Sequence, residues 1–188
     1  VALVTGAGSP IGFGRRMTFA LTAAGARVAM VDISEEWLNR TADEVRAVAG
    51  KDSVLPVVES VASWESAARA VNAAIDDLGG LDILVNNAGI NTLSDRSPIH
   101  QFSSDDWEQI LKIDLTGVFV TSQVSIPVML KNSTGRIVNV SSVAGIVPLR
   151  LQSAFVAAKA GVINLTRSMA LELGPKALSY THQTLPTI

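Results

Sequence analysis

The sequence predicts a doubly wound parallel α/β sheet with helices on both faces, from three observations. Short apolar runs alternate with longer segments of helical periodicity, the runs are continuous rather than alternating, and a glycine-rich turn joins the first run to the first helix. Continuous apolar strands are strands covered on both faces, the condition of a parallel sheet wrapped by helices. At 188 residues, 48% hydrophobic and 17% charged, the chain can bury one substantial core.

Each element follows in turn. Val1 to Val4 read as a buried strand, and FGRRMTFALTAAG as a helix because Phe13, Met17, Ala20 and Leu21 recur at helical spacing. Arg27 to Val31 form a second strand ending at Asp32; Trp37, Leu38, Val45 and Val48 give the following helix its apolar side. VLPVV is the third strand, SWESAARAVNAAIDDLG a helix, and LDILVNNAG a fourth strand running into a polar turn. Asn91 to Asp106, rich in Ser, Asp and Pro, reads as a loop. A long helix from about Trp107 to Leu130 carries Ile110, Leu111, Ile113 and Phe119, and Pro127 should bend its last turns. GRIVNVSS is the fifth strand and AFVAAKAGVINLTRSMALELG a helix ending near Gly174 and Pro175.

A single domain over residues 1–176 accounts for all of this. The remaining ALSYTHQTLPTI is too polar and interrupted for a central strand. It resembles the translation of a transposon-derived sequencing adapter, so residues 177–188 are read as a tail of non-native origin, with a native exposed terminus as the other reading. The fold is thus expected to be truncated at its C-terminal end, and the opening Val1 points to residues lost upstream.

Fifteen basic and seventeen acidic residues leave a formal charge of −2 with no polybasic run, which argues against a nucleic-acid partner. No signal peptide or membrane-length apolar run is read, so no membrane partner is expected. Without cysteine there are no disulfides or thiolate sites, and a cytoplasmic, reducing setting is expected. His100 and His182 have no ligand cluster around them, so no metal is expected.

The turn TGAGSPIGFG, Thr5 to Gly14, lies between a strand and a helix, the context that makes a glycine pattern a nucleotide site. Gly6 supplies the tight turn and Gly12 lets the helix begin close to a pyrophosphate, whose charge the free amides favour. Asp32, at the end of the second strand, can accept hydrogen bonds from both adenosine ribose hydroxyls and would repel a ribose phosphate. Since neither Ser9 nor Ile33 offers a cation, NAD is the expected cofactor, with Arg15 and Arg16 the residues that could argue otherwise.

These features, over residues 1 to about 176, resemble the short-chain dehydrogenase/reductase family, a Rossmann fold. Its motif TGxxxGxG falls on Thr5, Gly6, Pro10 and Gly12, so the middle glycine is replaced by proline; Ser9 and Ile11 lie beside it. NNAG, Asn86 to Gly89, matches the family signature after the fourth strand, where Asn86 and Asn87 stabilise the turn and Ala88 and Gly89 leave room for cofactor. Ser60 and Val61 fill the positions that hold adenine, with Ser60 in place of an aspartate.

At the reaction end the resemblance implies Asn, Ser, Tyr and Lys. Ser142, thirteen positions before residue 155, matches the serine that bonds the substrate oxygen. Lys159 matches the lysine that binds the nicotinamide ribose and lowers the pKa of a phenol one turn earlier. That phenol is missing, because Phe155 occupies its place, and Asp114 stands where the asparagine is expected. Ser141 is read as structural, and Arg150 as a loop cation at the site's opening.

The implied function is NAD(H)-dependent oxidation or reduction of a small secondary alcohol or ketone. The other reading is a noncatalytic NAD(H)-binding or assembly subunit. The two long helices are the surfaces through which the family forms dimers and tetramers, so a homodimer or homotetramer is expected.

Overall fold

In the computed structural model, which describes residues 1–91, 96–174 and 179–185, six strands form one parallel sheet in the order β3-β2-β1-β4-β5-β6. The strands are β1 Ala2–Thr5, β2 Val28–Asp32, β3 Val54–Val58, β4 Ile83–Asn86, β5 Arg136–Ser142 and β6 Ser179–Leu185. The order reverses between β1 and β4, which opens a crevice beyond their C-terminal ends, the usual place for a ligand in an open α/β sheet.

Alternate strand residues feed two layers. Leu3, Ala29, Val31, Leu84 and Ile137 pack on one face with Val71 and Ala74 of α3 (Trp64–Leu78), Met129 of α5 (Gly117–Lys131) and Met169 of α6 (Ser153–Leu173). Val4, Val28, Met30 and Val85 pack on the other, with Met17 of α1 (Phe13–Ala23) and Leu38 and Val45 of α2 (Glu35–Ala49). The continuous apolar runs follow from this double cover.

Caps set the helix starts. Ser34, Ser63 and Ser103 each accept an amide hydrogen bond at the N-termini of α2, α3 and α4. The Ser103 cap starts α4 (Ser104–Leu111) three residues before Trp107, so the predicted loop is shorter than expected; its residues 92–95 lie outside the described ones. The single long helix of the sequence reading is α4 and α5 joined by a π-helical turn, Lys112–Thr116. Pro127 lies inside α5, where the carbonyl of the exposed Gln123 loses its helical donor.

Two expectations are corrected. The helical run Ser104–Lys131 holds an 18-residue stretch with a mean hydropathy of 1.5 and is long and apolar enough by length and composition to cross a membrane, contrary to the reading that no such run exists. Its inward side serves the domain instead, with Ile110, Val118, Val120 and Met129 buried. The polar tail does form a strand, β6, pairing parallel with β5 from Arg136↔Ser179 to Ser142↔Leu185. Among the described residues it lies at the sheet's edge beside β5 alone, a position that tolerates the polarity that disqualified it as a central one.

Candidate active site

The glycine turn and the NNAG turn form one hydrogen-bonded unit at the ends of β1 and β4. Gly6 turns at φ +64°, where a side chain would be strained. Thr5 Oγ1 accepts the amides of Asn87 and Ala88 at 2.9 and 3.0 Å, and Asn87 Nδ2 donates to the carbonyls of Thr5 and Gly6 at 3.0 and 3.1 Å. Asn86, below them, donates to Asn139 Oδ1 at 2.8 Å and Ser122 Oγ at 3.1 Å, which ties β4 to β5 and α5.

The glycine motif needs a different register from the one read in the sequence. A Cβ at Gly14 would lie 2.2 Å from the Gly6 carbonyl oxygen and 2.7 Å from Asn87 Nδ2. Gly14 therefore performs the close helix-to-strand packing of the motif's last glycine, and Gly12, the N-cap residue of α1, takes the middle role. Pro10 falls within a turn lengthened by two residues and replaces no glycine. Fixed spacing hid this; the signal in the sequence was the second GxG, Gly12 to Gly14.

A cleft of about 550 Å³ opens above this unit. Of the residues read as cofactor-binding, Gly6, Ser9, Gly12 and Asp32 line it from the β1 and β2 side, and Ser60, Val61, Asn87, Ala88 and Gly89 from the β3 and β4 side. Ile11 does not: it is 96% exposed and takes no part in the cleft lining. Phe13, Trp37, Glu59 and Ile113 also line the cleft and were not foreseen.

Asp32 is fixed by the amides of Gly8 at 2.8 Å and Ser34 at 3.1 Å, one to each carboxylate oxygen. Each oxygen keeps a second lone-pair direction for a ligand hydroxyl. Ser34, not Asp32, caps α2. Of the two arginines that could have met a ribose phosphate, Arg15 is bound to Glu44 at 2.6 Å and lies over the Phe19 ring, and Arg16 is exposed on α1. Ser60 Oγ accepts the Ala62 amide at 3.1 Å, closing a turn.

At the reaction end β5 and α6 bring the remaining residues together, deeper than the cleft's own lining. Ser142 Oγ accepts the Ala144 amide at 3.1 Å, starting a short 3₁₀ turn. Ser141 Oγ donates to the Lys159 carbonyl at 2.8 Å, the structural part read for it. Lys159 Nζ, on a side chain 7% exposed, lies 3.0 Å from Asp114 Oδ2. Its other neighbours are the Val140 carbonyl at 3.4 Å and the Phe155 ring, centred 5.5 Å away. Phe155 is buried among Ile110, Ala144, Ala154 and Ala158. Asp114 sits in the π-helical turn and accepts the Ile90 amide at 2.7 Å. Burial pushes its carboxyl above the ordinary carboxylate range, against the pull of Lys159 and the Ile90 amide.

Gln152, missed by the sequence reading, is buried at the start of α6 and accepts Asn91 Nδ2 at 2.8 Å, joining the exit of β4 to the reaction end. Leu151 before it is held at φ +63°. Arg150 is exposed on this loop.

Comparison with known proteins matches the sequence and the overall fold. The family model described as short chain dehydrogenase covers residues 1–182. Among curated proteins, the trans-4-hydroxycyclohexanecarboxylate dehydrogenase of Sinomonas cyclohexanicum is 39% identical over 93% of this chain and 67% of its own length. The cyclohexanol dehydrogenase of an Acinetobacter species is 34% identical over 95% of the chain and 68% of its length. Among solved structures, levodione reductase superposes with a TM-score of 0.93 at 32% identity, over 98% of this chain and 70% of that one. Carveol dehydrogenase from Mycobacterium avium in complex with NAD gives 0.89 at 31%, over 96% and 68%. The chain thus spans about two thirds of the length of these relatives, and it belongs to the short-chain dehydrogenase family.

Proposed function

We propose that the chain is an NAD(H)-dependent oxidoreductase of a secondary alcohol or ketone whose proton-transfer limb lacks its hydroxyl. Asp32 carries the cofactor assignment: a carboxylate fixed on the cleft wall, with Arg15 engaged by Glu44, favours a free ribose diol over a phosphorylated one. When bound, the dinucleotide accepts or donates the hydride. The free amides at the start of α1 attract its pyrophosphate, Ser60 and Val61 bound its adenine, and Lys159 serves the nicotinamide ribose. Ser142 binds the substrate oxygen.

The substrate class draws support from the relatives, two of whose names denote alcohols on a cyclohexane ring. Phe155 cannot exchange a proton, so turnover should fall roughly 10²- to 10⁴-fold below that of a site with a phenol there. Phe155 also favours the second reading, a subunit that binds NAD(H) without turnover; the relatives, all named as enzymes, favour the first. A homodimer or homotetramer belongs to the same proposal, since Trp107, Phe119 and Leu171 are exposed on α4, α5 and α6, as does the cytoplasmic setting. The test is absorbance of the reduced cofactor during incubation with cyclohexanol and NAD⁺ or NADP⁺. Slow production of NADH and no NADPH is expected; NADH binding without any turnover would transfer the chain to the second reading.

A further inference from the structure

Asp114 and Phe155 are far apart in the sequence, yet both adjoin Lys159. The π-helical turn brings the fully buried Asp114 carboxylate to 3.0 Å from Nζ, while the Phe155 ring is centred 5.5 Å from the same nitrogen. The carboxylate is held on its other oxygen by the Ile90 amide at 2.7 Å. Gly89 closes the pair in: a Cβ there would lie 2.8 Å from Asp114 Oδ2 and 3.3 Å from Lys159 Nζ. Among the described residues, Lys159 is the only charged side chain acting on Asp114.

An ammonium about 4–6 Å from a phenol favours the phenolate and lowers its pKa by roughly 1–3 units. A carboxylate in contact with that ammonium cancels most of the field. We propose that Asp114 is a positioning residue that holds Lys159 in an internal ion pair and withdraws its charge from position 155, so that proton transfer is silenced at two coupled positions. Restoring the hydroxyl alone then yields an ordinary phenol, and activation requires the carboxylate to be neutralised as well. The meaning for turnover rests on the dehydrogenase reading, whereas the electrostatic coupling can be read without cofactor or substrate.

The test is a phenolate absorbance titration of the full chain. The wild type has one tyrosine, Tyr180, whose signal is subtracted. In F155Y the introduced phenol is expected to titrate at or above the ordinary value of about 10. In F155Y/D114N it should titrate at least about one unit lower, and turnover of cyclohexanol with NAD⁺ should rise roughly 10²-fold over F155Y. A phenol already depressed by about a unit in F155Y, or one unmoved by D114N, overturns the proposal. Should the double variant not fold, the F155Y titration decides alone, an ordinary phenol supporting the ion-pair lock and a depressed one overturning it. Failure of NADH to bind, with both titrations as expected, would remove the dehydrogenase reading and leave the coupling established.

Discussion

Gly14 shows how one atom's absence sets the cofactor end. A Cβ added at Gly14 would run into the Gly6 carbonyl oxygen, which leaves no room for a methyl group, so G14A should cost about 3 kcal/mol and loosen the turn that faces the cleft. P10G should change stability by no more than about 1 kcal/mol, because Pro10 fills the lengthened turn and not a motif position. Urea melts of the two variants check the register; an equal loss in both would contradict it. Asp114 adds a pH signature. Its folded-state pKa is raised, so only at a pH between the ordinary and the raised value does the folded protein keep a proton that the unfolded chain has released; above that window Asp114 is the ionised partner of Lys159. Its contribution to stability therefore improves as pH falls through the window between the raised and the ordinary value, and is lost as pH rises through the raised value. Wild-type stability relative to D114N should increase as pH is lowered from neutrality towards the ordinary carboxylate range, as followed by urea unfolding. Glu44 and Glu59, lowered by hydrogen bonds from Arg15 and Arg69, act in the opposite sense but cancel in that difference.

The central strands and the helices were legible from apolar runs and helical periodicity because β1, β2 and β4 are covered on both faces, so Val28 and Val31 are both buried while serving opposite layers. What could not be read locally depends on a partner distant in sequence. The π-helical turn lies within an unbroken helical pattern and declares itself only where Asp114 reaches the Ile90 amide. The strand at Ser179–Leu185 depends on β5 beside it. Likewise, the motif residues of the cleft were legible by type and order, but the correct glycines were decided by packing. Between the helices and the sheet runs a buried polar network: Asn139 accepts from Asn86 at 2.8 Å and donates to Thr166 at 2.9 Å, and Thr121 donates to Asn86 at 2.6 Å. N139A would strand two of these groups and should cost about 2–4 kcal/mol. Ser125, fully buried on α5 with no partner for its hydroxyl among the described residues, should behave oppositely, S125A being neutral or stabilising by about 1 kcal/mol. Chemical denaturation of both reads the contrast.

The molecule as a whole separates into a cofactor end that is complete in its contacts and a reaction end that is closed upon itself. Turns from β1 and β4 are bonded to each other and Asp32 is fixed at the cleft wall, while Lys159 is committed to Asp114 beside a ring without a hydroxyl. Such a molecule should bind dinucleotide well and turn it over poorly. Trp37, half exposed on the cleft wall, provides the probe. Titration of the intact chain with NADH and NADPH, followed by tryptophan quenching with W37F as control, should show saturable binding of NADH, binding of NADPH weaker by at least about tenfold, and loss of that preference in D32A. Absence of saturable NADH binding, or tighter binding of NADPH, would contradict the cofactor assignment on which the proposed function stands.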